Sequence, residues 1–213
     1  ADADSEAAVE AALIWLANNQ STNGGWIAAE HGSGTETLAL GQNRYNTGRD
    51  ADTGITGLAL LAFLSAGHTH QSGQYRDQVA AGLSFLLDAQ MPSGDLAGPK
   101  QLGREPGILN ARMYCHSIAM LAIAEAYAIT LDRRLRQALD KATNYSLKAQ
   151  DPVGGGWRYI PGTPGDLSQF GWQAMALNSV RKSGINLPQR TLSLMAKFLD
   201  SCSVGTYGGL ARY

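Results

Sequence analysis

Gln150-Asp-Pro-Val-Gly-Gly-Gly-Trp157 is the stretch that decides the fold, because related copies stand twice upstream of it. These copies are Gln20-Ser-Thr-Asn-Gly-Gly-Trp26 and Gln90-Met-Pro-Ser-Gly-Asp-Leu96. A Gln that closes a helix and precedes Gly-rich sequence and Trp is typical of a helix stop whose ring packs on the next unit. The glutamines are 70 and then 60 residues apart, which suits a helical hairpin with a decorated loop. The sequence therefore predicts a repeat architecture.

A fourth, degraded copy of the motif follows the last predicted helix. Its sequence, Ser201-Cys-Ser-Val-Gly205-Thr-Tyr207-Gly-Gly209, keeps the glycines and an aromatic residue but has no Gln. Loss of motif residues is common at the end of a repeat array.

The composition fits a globular chain with a real core. The chain has 213 residues, is 44% hydrophobic and carries a formal net charge of −1, so it shows no bulk electrostatic attraction to nucleic acid or anionic membrane. No apolar run reaches the ~20 residues of a membrane span, which predicts no transmembrane segment. The N-terminus has neither an initiator Met nor a signal-like apolar stretch. We expect a processed form or an excised domain, and localisation stays undetermined because targeting segments can be removed.

Two kinds of helix alternate between the Gly-rich turns. Four segments carry an apolar stripe opposite a polar face, as surface helices do. The stripes are Val9, Ala12, Leu13 and Leu16; Tyr75, Val79, Leu83 and Leu86; Leu135, Leu139 and Ala142; and Leu192, Met195 and Leu199. The segments between them, 55–64, 118–124 and 170–177, are apolar nearly all round, which predicts burial on every side. The alternation indicates an inner and an outer layer of helices.

The stretch Gly154-Gly-Gly-Trp-Arg-Tyr159, with Asp166-Leu-Ser-Gln-Phe-Gly-Trp172-Gln-Ala-Met-Ala-Leu177 after it, resembles the QW repeat and following inner helix of squalene-hopene cyclases and related terpenoid cyclases. The resemblance extends from about Val9 to Tyr207. It implies an all-α fold, the α/α toroid of inner and outer hairpins that these enzymes share with protein prenyltransferase β subunits. Residues 1–213 would form a single domain of this kind, belonging to a longer chain.

The number of predicted hairpins indicates a partial or open ring. A toroid of this class closes with about six hairpins, whereas this chain opens on an outer helix and continues through three inner/outer pairs. The apolar edges of an open ring need cover, so we expect either a second copy of the chain or further sequence of the parent protein against them.

Chemistry is expected where the inner helices begin, because free N–H groups and positive dipole ends converge there. Asp50 and Asp52 precede the first inner helix. They occupy the first and third places of the Asp-x-Asp-Asp motif that donates the initiating proton in squalene-hopene cyclases, so the resemblance makes them candidate catalytic acids. Thr53 stands in the fourth place, which makes the acid motif degenerate. The alternative is that Asp52 caps the helix.

The second inner helix begins near Tyr114, Cys115 and His116. A Cys–His pair at this point is similar to zinc ligation in prenyltransferase β subunits and lanthionine cyclases, which makes Cys115 and His116 candidate metal ligands. Because no third ligand stands at a diagnostic spacing, the main prediction includes no cofactor, and zinc is the alternative. A buried thiol and a His that lines the cavity explain the same residues.

Tyr114, His116, Asp166, Ser168 and Trp172 are the candidate substrate-binding residues. Asp166 and Ser168 are equally compatible with helix capping, and Trp172 can fill the core as well as line a lipid cavity. Elsewhere in the inner layer, Glu125 stands within an apolar helix and needs a partner, for which Arg112 is a candidate.

The resemblance implies a squalene-cyclase-like domain that holds a hydrophobic, isoprenoid-like ligand, whether or not it is catalytic. A non-catalytic protein-interaction scaffold is the first alternative. A zinc-dependent prenyltransferase-like enzyme or a polysaccharide-active enzyme is the second, since Asp50, Asp52 and Asp166 offer carboxylates for the latter. Fold analogy alone does not separate these functions.

Overall fold

The computed structural model describes residues 2–33, 38–39, 42–43, 48–101 and 111–212. This part of the chain is mostly helical with very little strand, which confirms the all-α class. Its α-helices are α1 (Ala3–Asn18), α2 (Asp52–Ser65), α3 (Arg76–Ala89), α4 (Arg112–Thr130), α5 (Arg133–Ala149), α6 (Leu167–Lys182) and α7 (Gln189–Cys202). Short 3-10 helices span Ala28–His31 and Pro99–Gln101. Two antiparallel strand pairs join Leu38–Ala39 to Gln42–Asn43 and Ser203–Val204 to Leu210–Ala211.

Helices α2, α4 and α6 form one layer, with α4 in the middle. Gly54 and Gly57 of α2 lie against Cys115 and Ile118 of α4, in the same order along both helices. These glycines permit a close approach, since a Cβ on Gly57 would lie only 3.0 Å from Ile118 Cγ2. Helices α2 and α4 are therefore parallel.

Helices α4 and α6 are also parallel. Gln169 Nε2 donates to the carbonyl of Met113 at 3.0 Å near the start of both helices. Near their ends, Ser179 Oγ donates to Glu125 Oε1 at 2.7 Å. The N-termini of all three helices consequently lie at one end of the layer.

The outer helices pack on this layer and bury their apolar sides to different extents. Helix α3 packs on α2 and α5 on α4, and each buries the apolar stripe predicted for it. Helix α1 buries only Leu13 and leaves Val9 50% exposed. Helix α7 buries Thr191 and Phe198 instead of the predicted stripe, so that Leu199 is 49% exposed. Within the described residues, α1 and α7 have neighbours on one side only, which explains the partial cover.

Each of the three Gln-containing turns ties its own helix to the next outer helix. The Gln side-chain amide donates one hydrogen bond to the carbonyl of the motif glycine and a second to a carbonyl of the next outer helix. These contacts are Gln20 to Gly24 (2.7 Å) and Gln78 (2.9 Å), Gln90 to Gly94 (3.3 Å) and Ala138 (2.9 Å), and Gln150 to Gly155 (2.9 Å) and Thr191 (3.3 Å). The motif glutamines therefore link consecutive outer helices.

The motif glycines allow the turns to touch the next helix. Gly155 has φ +87°, a conformation that L residues rarely adopt, and a Cβ there would collide with the carbonyl of Leu194 in α7. Gly24 and Gly94 make the same approach to α3 and α5.

The aromatic residues of the turns fill the core. Trp26 Nε1 donates to the Leu16 carbonyl and Trp157 Nε1 to the Ser146 carbonyl, each at 2.9 Å, so both rings are buried with their polar atom satisfied. Leu96 takes the same place in the middle turn and is fully buried. One hydrophobic cluster extends from Leu13 to Phe198 through these residues.

Helix α4 passes the length and composition test for a membrane span, and it is the one helix of the described chain to do so. In this helix, 61% of the apolar stretch is buried inside the protein. A central core helix has the same composition, so the finding is weak evidence for a span.

Candidate functional site

Asp52, His116 and Asp166 lie at the same end of the inner layer, as predicted, because the three inner helices are parallel and each residue stands near the start of one of them. Their side chains belong to three separate hydrogen-bond networks.

Asp52 is held by donors from two loops. Its Oδ1 accepts from the backbone N–H of Ala28 at 3.1 Å, and its Oδ2 accepts from Lys100 Nζ at 2.9 Å. The hydrogen bond with Asp52 raises the pKa of Lys100. The capping alternative is wrong, because α2 begins at Asp52 itself and its N-cap is Ala51. The carboxylate instead joins the segment before α2 to the segment between α3 and α4.

A pocket of about 290 Å³ opens beside this carboxylate. Its polar lining includes Asp50, Asp52 and Lys100, and its apolar lining includes Ile27 and Phe85. Thr53, in the fourth place of the acid motif, also lines this pocket, and its hydroxyl donates to the Ala97 carbonyl at 3.2 Å. The candidate acids Asp50 and Asp52 therefore border a real cavity.

His116 lies in a second network on the opposite side of α4, facing the outer layer. The fixed N–H of Leu96 donates to His116 Nδ1 at 3.0 Å, so the ring proton of the neutral imidazole is on Nε2. Nε2 then donates to Ser146 Oγ, 2.9 Å away, and Ser146 Oγ donates to Gln173 Oε1 at 2.9 Å. The imidazole thus links the middle turn to α5 and α6.

Asp95 completes this network with a carboxylate 3.4 Å from His116 Nδ1 and an ion pair of 2.7 Å to Arg112 Nε. Burial alone would raise the pKa of Asp95, but the Ala97 N–H and the Arg112 guanidinium hold it below its usual value. The Asp95, His116 and Ser146 side chains resemble a nucleophilic triad in residue type. All three are fully buried and Ser146 is already a donor, so the cluster stabilises the fold and offers no nucleophile to a substrate.

Cys115 is a buried free thiol between α2 and α4. Burial raises its pKa to about 11, which opposes the thiolate that a metal needs. Both nitrogens of the neighbouring His116 are already hydrogen-bonded. In the described part of the chain, no cluster of three His, Cys, Asp or Glu residues is placed to hold a metal. These residues do not fit a zinc site.

Asp166 organises the third network, at the start of α6. It is the N-cap, as the sequence allowed, and its Oδ1 accepts from the Gln169 N–H and from Ser168 Oγ, each at 2.8 Å. Ser168 is therefore a support for the cap and not a cap itself. The hydroxyl of Tyr114 lies 2.6 Å from Ser168 Oγ, which joins the starts of α4 and α6.

The inner helices expose apolar side chains on their side away from the outer layer, which we call the inner face. The prediction of burial on every side is wrong for this face of α2 and α6, since Ile55 and Leu58 of α2 are 38% and 41% exposed and Met175 of α6 is 47% exposed. Ile129 of α4, which lies outside the stretch predicted to be buried, is 56% exposed. The candidate residue Trp172 is partly exposed and stands one turn before Met175. These apolar side chains are exposed because nothing in the described chain covers the inner face.

A pocket of about 370 Å³ lies on the inner face towards the ends of the helices. Leu61, Leu121, Ile129 and Met175 line its walls, and its polar groups include Glu125. Glu125 accepts from Ser179, whereas Arg112 pairs with Asp95, so the proposed Arg112–Glu125 partnership is wrong. The two residues are 13 positions apart on one helix and face different networks.

Sequence reasoning missed Lys100, Asp95 and Ser146. Lys100 and Asp95 lie in loops, where side-chain direction has no periodic signal. Ser146 occupies the buried face of α5, and a polar residue in a predicted apolar stripe was the signal that could have revealed it.

No protein-family model, curated protein or solved structure matches the chain.

Proposed function

We propose that the chain is a terpenoid-cyclase-like α/α toroid domain, built as an open ring, that binds an isoprenoid-like lipid on its inner face. Support for the fold comes from the strict alternation of inner and outer helices and from three turns that repeat the same pair of hydrogen bonds. The residues that carry the resemblance, from Gly154 to Leu177, form the third of these turns and α6.

The single observation that carries the ligand proposal is the exposed apolar inner face. Ile55, Leu58, Ile129 and Met175 are each between 38% and 56% exposed although they belong to the inner helices. Complete burial of such a side chain contributes about 1.5–3 kcal/mol, so covering the exposed parts of four gives several kcal/mol in total. A long hydrocarbon chain satisfies this requirement without a specific polar partner.

Polar groups flank the apolar part of the inner face at both ends. Tyr114 and Ser168 stand near the helix starts, and Glu125 with Ser179 stands near the helix ends. A ligand with one hydroxyl group and a hydrocarbon chain fits this distribution, because a few polar groups in an apolar site fix the orientation of the bound molecule.

Binding of farnesol and of squalene, measured by displacement of a fluorescent apolar dye, tests the proposal. Leu58→Glu and Met175→Glu place charges on the inner face and should weaken binding about tenfold or more, since a charge is costly to bury against hydrocarbon. Val153→Glu is the matched control, because Val153 is 71% exposed and lies in a turn. Equal affinity in all three variants, or no binding by the wild-type chain, would refute the proposal.

Two alternatives lose support. In a polysaccharide-active site Asp166 could not pair with Asp50 or Asp52, because it caps α6 while they adjoin the start of α2, with α4 between these helices. A zinc-dependent site is opposed by the buried Cys115 and the fully bonded His116. Asp50 and Asp52 stay the candidate acids for any catalytic activity.

A further inference from the structure

The described outer helices share an aromatic residue at one position, and in two of them this residue packs on the turn that precedes the helix. An aromatic residue stands five positions before the residue that starts each turn: Trp15 before Gln20, Phe85 before Gln90, Tyr145 before Gln150 and Phe198 before Ser203. Phe85 and Phe198 pack directly on the glycines of the preceding turns. A Cβ on Gly25 would lie 2.9 Å from the Phe85 ring, and one on Gly156 would lie 2.8 Å from the Phe198 ring. Each of these joints therefore consists of a Gly-Gly turn and an aromatic residue of the next outer helix.

The fourth turn repeats part of this construction, although it is closed by the strand pair of Ser203–Val204 with Leu210–Ala211, which none of the three Gln-containing turns has. Ser203 stands in the place of the Gln, and its Oγ donates to the Gly208 carbonyl at 2.8 Å, as each Gln does to its motif glycine. Gly208 has φ +65°, and Gly209 and Leu210 follow it as Gly156 and Trp157 follow Gly155. The structure thus corrects the sequence analysis, since Leu210 and not Tyr207 corresponds to the core Trp.

The fourth turn is not occupied by any described part of the chain. A Cβ on Gly209 would meet nothing within 4 Å, whereas the corresponding Gly25 and Gly156 are in contact with Phe rings. Leu210 is 67% exposed, although Trp26, Leu96 and Trp157 in the same place are at most 1% exposed. No described outer helix packs on this turn.

Helix α1 is exposed at the opposite edge of the described chain. It is the one outer helix with no described turn preceding it, and residues 2–12 are all exposed. Trp15, in the place of Phe85 and Phe198, is 52% exposed and touches His31 with a ring-centroid distance of 5.4 Å. Ala11 takes the place of Ala81, the residue that Gly24 approaches most closely in α3.

The charges of the two edges are complementary. Residues 2–18 contain four carboxylates and no Lys or Arg, whereas residues 189–212 contain three basic residues and one carboxylate. Opposite charges on two surfaces favour their encounter and select their orientation.

We propose that the fourth turn of one copy of this chain docks on α1 of a second copy, so that copies join head to tail. Trp15 of the second copy then packs on Gly209 and Leu210 of the first, as Phe198 packs on Gly156 within the chain. The inference rests on the repeat geometry and is independent of the lipid ligand proposed above. Such a heterologous contact forms a closed ring if the rotation between copies closes, and an open chain otherwise.

Sedimentation velocity across a wide range of concentrations tests the proposal. The wild-type chain should associate reversibly, and association should weaken with added salt because the edges are oppositely charged. Trp15→Glu and Gly209→Leu should each weaken association about tenfold or more, since each removes one half of the joint. Neither is expected to unfold the monomer, because Trp15 is half exposed and a Cβ on Gly209 has free space.

Ile14→Gln is the matched control, because it leaves the charge of α1 unchanged. Ile14 is also exposed, at 46%, but the corresponding residues of the other outer helices are Ser84, Asn144 and Lys197, which face solvent. This variant should associate like the wild type, and loss of association in it would indicate unspecific apolar contact.

Mixing the two defective variants separates a head-to-tail joint from other contacts. Trp15→Glu keeps an intact fourth turn and Gly209→Leu keeps an intact α1, so an equimolar mixture should form dimers through one joint, while each variant alone stays monomeric. A wild-type chain that is monomeric at every concentration, or a mixture without dimers, overturns the proposal and leaves the turn to another occupant, such as a further hairpin of a longer protein.

Discussion

Replacement of Gln150 by Ala is expected to destabilise the protein by about 2–3 kcal/mol. The side chain is 6% exposed, and its Nε2 donates to the Gly155 carbonyl and to the Thr191 carbonyl in α7. Each hydrogen bond contributes about 1 kcal/mol, and an acceptor left unpaired by the deletion adds to the loss. The effect is larger than expected for an exposed side chain because the amide joins two consecutive outer helices.

Urea unfolding followed by circular dichroism measures this change. Gln137→Ala is the control, since Gln137 is an exposed glutamine of α5 and its loss should alter stability by less than about 0.5 kcal/mol. Because repeats interact with their neighbours only, the Gln150 variant should also broaden the transition as α7 uncouples from the remainder.

Gln150→Glu separates hydrogen bonding from packing. The carboxylate has the same shape but cannot donate, so it faces two carbonyl oxygens with charge and should destabilise at least as much as Ala at neutral pH. Its folded-state pKa should then be raised, and the lost stability should return as the pH falls and the group is protonated. A Glu variant as stable as the wild type would refute the idea that donation by this amide holds the turn.

Asp95→Asn should cost about 2 kcal/mol at pH 7, because a pKa lowered to about 2 makes the folded state bind this proton less readily than the unfolded state. That contribution to stability is present above the unfolded pKa of about 4 and is lost as the pH falls through 2. The acid unfolding curves of variant and wild type should therefore converge. Asp77→Asn is the control, because the Asp77 side chain is 83% exposed. Ellman's reagent should modify Cys202 readily and Cys115 only after unfolding, since the latter is 1% exposed with a pKa of about 11; rapid reaction of both thiols would contradict this. Incubation with squalene should yield no hopene-type product, because Thr53 replaces the last carboxylate of the acid motif. Turnover that Asp52→Asn abolishes would instead make Asp52 the general acid.

The repeated turns and the two kinds of helix could be predicted because they carry periodic signals. Gln20, Gln90 and Gln150 recur with the glycines that their turns require, and the stripes of α3 and α5 match their buried faces. The stripes of α1 and α7 matched less well, since periodicity assigns an apolar side to a helix but does not say whether a neighbour covers it.

The candidate site was predicted only in its position along the inner layer. That Asp52, His116 and Asp166 share one end follows from helix alternation, which the sequence shows. Their separation into three networks depends on partners in loops, such as Lys100 and Asp95, whose placement is set by tertiary contacts. The burial of Cys115 and the two hydrogen bonds of His116 could not be predicted either, because the sequence around them offers no measure of depth.

The central place of α4 between α2 and α6 has a consequence for local opening of the protein. Backbone amides exchange with solvent when their segment unfolds, and the order of exchange reports which segments open first. The stretch from Ala122 to Ala124 is completely buried, while α1 buries a single residue. Deuterium should therefore enter α1 early and α4 last, so that the molecule loosens from its two ends inward and keeps its middle hairpin until global unfolding.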